Sequence, residues 1–393
     1  MPVTYRSDVN PDYRCLEDYL EGGEFGALPD AWKHQAQHDL ASLNEVITAL
    51  AASTPWLPDG IKEQLSLSST IELPTKYDSP LNFQLIDGLV KRVKAAAERI
   101  GLDVTEFPYY SSIPTRQVNA CAIKLPCSSK PFLLFDSQLL LYCHLFSKAF
   151  ARCLPVKQDK DGEMLQLSTE IEGVRQRVER TPDVLERFSD VLRAYVTTDA
   201  PSNAKPYPLE GEYAHLATII RDGMELFVVA HEFGHVYAGH LNDLLAGTRL
   251  NTLKFPEGSA SHQQEHQADL LGLVLTLHAM SDADYDAGLS YIGIDLFFVS
   301  LDLAERCMHF VDGNADGKFE SSSSESHPSN QSRRNLISEA LEYIVPSTEQ
   351  VEAARSLASQ YDAIAKYLWA EIAASPSMHR TCAKAVQAGD FKR

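Results

Sequence analysis

The run Val228-Val229-Ala230-His231-Glu232-Phe233-Gly234-His235-Val236-Tyr237-Ala238-Gly239-His240 decides how this chain is read. It sets H-E-x-x-H inside an apolar stretch, starting near Met224, that reads as a buried helix. On a helix, His231 and His235 lie four residues apart and project from one side, so both imidazoles can meet a single metal ion. Glu232 stands beside the first histidine, placed to take a proton from a water at that ion. Polar groups in so apolar a helix need partners, since burying them unsatisfied is costly, and a metal is the simplest one. The plainer alternative is a pair of surface histidines on an amphipathic helix, and the apolar lead-in over 224–230 speaks against it. Gly234 leaves room for a second backbone to come close.

A hydrolytic zinc site needs a third protein ligand and an open position. The segment His262-Gln263-Gln264-Glu265-His266-Gln267-Ala268-Asp269-Leu270-Leu271-Gly272 reads as another helix, polar at its start and apolar afterwards. Glu265 and Asp269 share one face. Glu265 is therefore the expected third ligand, and Asp269 the acceptor that fixes the tautomer of a liganding histidine. His262 and His266 have the same spacing and are rival ligands, read more plainly as solvated residues at a helix start. His240 lies one turn and a residue beyond His235 and faces another direction, so it is expected to pack or hydrogen-bond rather than ligate.

These segments resemble the CAAX prenyl protease and HtpX-like metallopeptidases, a gluzincin family. Residues His231 to His240 follow its H-E-x-G-H-x-x-x-x-H signature, and Glu265 to Gly272 its E-x-x-A-D-x-x-G segment. Val118-Asn119-Ala120-Cys121-Ala122 is similar to its V-N-A-x-A strand, and His327-Pro328-Ser329-Asn330-Gln331-Ser332-Arg333 to its late H-P-x-x-x-x-R element. The resemblance implies an α+β, mainly α-helical, zincin-like fold with a small antiparallel sheet beside the active-site helix. It implies one zinc per chain on His231, His235 and Glu265, with Glu232 as general base. It makes Asn119 and Ala120 part of an edge strand that binds an extended peptide through its backbone. It also puts Arg333 near the site and lets His327 donate to the tetrahedral intermediate. A surface charge beside Arg334 is an equal reading of Arg333, and Tyr237 and Tyr291 are further candidate donors.

With 393 residues, 44% of them hydrophobic, the chain can bury a large core, and its formal charge of −19 argues against nucleic acid or an anionic membrane as partner. No stretch approaches 18 uncharged apolar residues and the first residues lack a signal-peptide core, so no transmembrane segment and a cytoplasmic location are expected. The seven cysteines are scattered without C-x-x-C and are expected to be reduced, with a Cys121–Cys127 bridge across a turn left open.

Residues 1–115 form an expected helical N-terminal layer, with helical spacing over 31–52 and 83–100. Residues 116–335 form the expected catalytic core, containing strands near 119–123 and 132–135 and helices over 137–153 and 292–311. An insertion at about 155–215, with at least one helix expected around 168–194, reads as a lid, a regulatory element or a partner site. Residues 336–393 form a C-terminal helical segment. Asp312-Gly313-Asn314-Ala315-Asp316-Gly317 imitates the opening of a calcium loop, but loop position twelve falls on Ser323, and the serines that follow read as a loop beside the cleft. The expected function is zinc-dependent endopeptidase action on protein or peptide substrates. The alternatives are a stress-response or phage-exclusion protease with one target, and a catalytically silent zinc-stabilised interaction module. Intact Glu232 counts against the silent module.

Overall fold

Residues 224–230 supply seven consecutive buried side chains, enough to fix a helix at the centre of the molecule. In the computed structural model the described residues are 3–22, 71–114, 119–158, 165–198, 200–209, 211–241, 260–312, 327–375 and 378. The chain opens with β1 (Val3–Tyr5), α1 (Pro11–Glu21) and β2 (Ile71–Leu73), followed by α2 (Pro80–Arg99). Then come β3 (Tyr109–Ile113), β4 (Ala120–Ile123), β5 (Phe132–Asp136) and α3 (Ser137–Cys153). The insertion follows as β6 (Val156–Gln158), β7 (Leu165–Leu167), α4 (Ile171–Arg180) and α5 (Pro182–Thr198). The rest is helical: α6 (Gly211–Tyr237), α7 (Ala260–Ser281), α8 (Ala287–Val311), α9 (Asn330–Ile344) and α10 (Thr348–Ala373). The expected 31–52 helix and the calcium-like and serine-rich residues 313–326 lie outside the described residues.

Around α6 pack α7, α8 and α3, and one apolar cluster takes in side chains from Ile86 to Met378. Glycines set the closest of these approaches. A Cβ on Gly234 would lie 3.0 Å from the Ala268 backbone, and one on Gly272 would lie 3.0 Å from the Phe227 ring. The close approach expected at Gly234 is therefore to α7. Where α6 meets α8, a Cβ on Gly293 would lie 2.6 Å from the Gly223 Cα.

The sheet differs in one respect from the expected antiparallel pair. Strands β4 and β5 do pair antiparallel, Cys121 opposite Leu134, but β3 joins β5 in parallel, giving the order β3-β5-β4. The sheet is thus mixed, with the fully buried β5 in the middle and β4 at an edge. Asp136 ends β5 and caps α3 by accepting the Gln138 N–H at 2.7 Å.

The described residues of the insertion do not line the cavity described below. Where at least one helix was expected over 168–194 there are two, α4 and α5, divided at Pro182. Val184, Phe188 and Leu192 of α5 are fully buried, with the Phe188 ring 5.5 Å from Phe146 of α3. Burial of that kind makes this segment part of the core.

The cysteines also depart from expectation. Cys15 of α1 is bonded to Cys127 in the β4–β5 turn, 112 positions away, while Cys121, Cys143, Cys153 and Cys307 form no disulfide among the described residues. Asp12 reinforces the junction, accepting the N–H and hydroxyl of Ser129 at 2.6 and 2.7 Å. Such a bridge is at home in oxidising compartments, so the cysteines no longer support a cytoplasmic location. Among the described residues α8 alone is long and apolar enough to cross a bilayer, and 67% of that stretch is buried inside the fold.

Candidate metal centre

Helices α6 and α7 bring His231, His235 and Glu265 together, one donor atom of each within 4.8 Å of the others. The two Nε2 atoms stand 3.1 Å apart. Glu265 Oε2 is 3.5 Å from His231 Nε2, and Glu265 Oε1 is 3.4 Å from His235 Nε2. Two atoms bonded to one tetrahedral zinc at ordinary lengths stand about 3.3 Å apart. Glu265 Oε2 is buried and accepts no hydrogen bond; the Arg333 guanidinium stands 3.4 Å away without bonding it, which leaves its lone pairs for a metal ion. The donor set, two imidazoles and a carboxylate, fits zinc.

Each ring is aimed from behind. His231 Nδ1 lies 3.0 Å from Asp269 Oδ1, the expected tautomer-fixing contact. Asp269 is in turn gripped by the Arg333 guanidinium, Nη2 to Oδ1 at 2.6 Å and Nε to Oδ2 at 2.8 Å. Burial pushes the Asp269 carboxyl up, but Arg333 and His231 outweigh it and hold the group well below the usual carboxylate range. Burial likewise opposes ionisation of Glu265, yet the neighbouring His235, His231 and Arg333 outweigh it and bring its pKa down to about 2.

His235 has a support that the sequence reading misdirected. After Tyr237 the chain closes a Schellman turn: Gly239 takes φ 80°, its N–H bonds Val236 O, and the His240 N–H bonds His235 O. The turn folds His240 back, putting its Nδ1 3.0 Å from His235 Nδ1 and its Nε2 2.8 Å from Gln267 Oε1. His240 therefore hydrogen-bonds rather than ligates, as expected, though it faces His235 rather than away from it. With His240 donating to Gln267 and accepting from His235, the lone pair of His235 Nε2 is left for the metal. Gln267 was not singled out in the sequence; its position two residues after Glu265 acquires meaning only once the turn is seen.

The remaining candidates divide. His266 is 2% exposed and its Nδ1 has no hydrogen-bond partner, so it is not a solvated helix-start residue, nor does it line the cavity. Arg333 is 7% exposed and lies 3.4 Å from Glu265 Oε2, so it is not a surface charge. Its neighbour Arg334 bonds Asp295 and Asp362, tying α9 to α8 and α10. Tyr291 is buried against Ser338, and Tyr237 packs on Phe233; neither lines the cavity.

The donors open onto a cavity of about 690 Å³ whose walls include Glu232, His327 and residues 119–122 of the edge strand. His327 stands at the mouth, its side chain 58% exposed and its Nε2 3.6 Å from Glu265 Oε1. Asn119 O accepts the Asp136 N–H at 3.0 Å, so in an antiparallel ladder Cys121 and Ile123 also bond toward β5. The backbone groups of Ala120 and Ala122 then point to the open edge, where the Ala120 N–H is held by Asn119 Oδ1 at 2.9 Å. None of the insertion's described residues lines this space.

Compared with protein-family models, with curated proteins and with solved structures, the chain matches none.

Proposed function

We propose that the chain is a zinc-dependent endopeptidase acting on protein or peptide substrates, with the gluzincin chemistry that its motifs resemble. One observation carries the reading: three donors at the edge spacing of a tetrahedron, with Glu232 beside them, open onto a cavity walled by a free strand edge. When bound, zinc polarises a substrate carbonyl and lowers the pKa of a water toward about 7. Glu232 takes the proton from the attacking water and delivers it to the leaving amine. Ala122 offers its N–H and C=O and Ala120 its C=O to an extended substrate, which adds to the sheet as a further strand. His327 donates to the oxyanion from the mouth of the cavity. Arg333 is committed to Asp269 and serves as a positioning residue rather than an oxyanion donor.

The test is Glu232→Gln, assayed on a library of quenched peptides alongside metal analysis. The variant should keep its zinc and lose about 10²–10⁴-fold in turnover. A variant that cleaves as well as the wild type would sink the mechanism.

A further inference from the structure

In an extended peptide paired to β4, only every second residue turns its N–H and C=O toward the strand. The groups between them face the other way, into the cavity. Once the peptide fills that space, an N–H without an acceptor has lost its water and gained nothing in return, which is costly. A lining built for peptide should therefore hold an acceptor away from β4 that the chemistry does not use.

Three carboxamides line the cavity, each from a different part of the fold: Asn119 before β4, Gln264 on α7 and Asn330 on α9. Asn119 Oδ1 is taken by the Ala120 N–H. Gln264 is half-buried and has no hydrogen-bond partner among the described residues, so nothing fixes its direction. Asn330 differs from both. It is 7% exposed and opens α9 behind the Ser329 cap. Its Nδ2 donates to Glu305 Oε1 at 3.0 Å. A carboxylate only accepts, so Glu305 decides which end of the amide faces it. The other end, Oδ1, accepts no hydrogen bond and is not sealed off, so it looks into the space that Asn330 lines. Arg333 follows one turn later on the same helix face and stands 3.4 Å from Glu265 Oε2, which sets Asn330 beside the metal centre.

We propose that Asn330 is a substrate-binding residue whose Oδ1 accepts a backbone N–H of the bound peptide, one that faces away from β4. This rests on the peptidase reading. The peptide is held by its main chain from two walls, β4 and the start of α9, whatever its side chains are. Glu305 acts through Asn330 as a positioning residue, keeping the amide the right way round.

The experiment uses one extended fluorescein-labelled peptide and a set in which each amide in turn is replaced by an ester, which removes a single N–H. Binding is read by anisotropy on zinc-loaded protein carrying Glu232→Gln, so that the peptides stay intact, with and without Asn330→Ala. Cleavage of the same peptides by protein with Glu232 intact is read by mass spectrometry, and retained zinc shows that each variant is folded. At one position the ester should weaken binding about five- to ten-fold, and that penalty alone should disappear with Asn330→Ala. Exchanging the pair, Asn330→Asp with Glu305→Gln, keeps the bond between them and an acceptor facing the cavity, so the penalty should return. Ester penalties that are the same with and without Asn330→Ala at every position overturn the contact, as does the absence of any peptide binding. An Asn330-dependent penalty without cleavage would support the contact and count against the peptidase reading. Cleavage with no Asn330-dependent penalty would overturn the contact alone.

Discussion

His231 and His235 are held by partners of different strength, and the difference has a measurable consequence. Behind His231 stands an ionised carboxylate locked to a buried guanidinium; behind His235 stands a neutral chain, His240 and Gln267. Charge-assisted hydrogen bonds are roughly twice as strong as neutral ones, so on the proposed reading the first support should carry more of the affinity for a metal. Asp269→Asn should weaken zinc binding by about 10–100-fold, and Gln267→Leu by less, both read by competition with a chromophoric chelator. Equal losses would mean that the two rings are positioned by packing alone. Asp269 was legible in the sequence because helical spacing places it on the face of Glu265. His240 was misdirected because spacing extends a helix that the Schellman turn at Gly239 ends.

Among the elements, close approach decides where the donors land. Gly234 and Gly272 let α7 lie against α6, and Gly223 and Gly293 do the same for α8. Gly293→Ala would force a methyl group into the Gly223 backbone and should destabilise the fold by about 1–3 kcal/mol in urea unfolding. Glu225, in the middle of α6, gives a pH signature. It is 1% exposed, neither of its oxygens accepts a hydrogen bond, and the nearest cation, Arg221, stands 3.6 Å away. Burial raises its pKa to about 8, against an ordinary value of 4.5. The folded chain thus keeps a proton that the unfolded chain releases, so stability is full below the ordinary value and falls as pH rises through about 8. Melting temperature should drop by a few degrees between neutral and mildly alkaline pH, and Glu225→Gln should flatten that drop. The bounds of α3 and the β4–β5 pair were readable from apolar spacing and from the Pro and Ser of the turn. Strand β3 was not, because a parallel partner 23 positions away (Tyr109 opposite Phe132) leaves no local signal.

At the scale of the whole molecule, the Cys15–Cys127 bond joins α1 to the turn beyond the cavity's edge strand. Nothing in scattered cysteines indicates a pairing across 112 positions, since that requires the fold to bring α1 beneath the sheet. Reduction should lower the unfolding free energy by about 2–4 kcal/mol, measured by denaturant titration with and without reductant. An unchanged midpoint would show that the bridge does not form in solution. The candidate metal donors were legible before the fold because H-E-x-x-H and the Glu265 helix carry their geometry in local spacing. The cavity's far wall was not, because Glu305 and Asn330 meet only through the packing of α8 and α9. The central claim is tested most directly by the metal content of protein purified without added metal, read by elemental mass spectrometry. About one zinc per chain, lost in His235→Ala, is the predicted result. No zinc in the purified protein, and none taken up on titration, would contradict it.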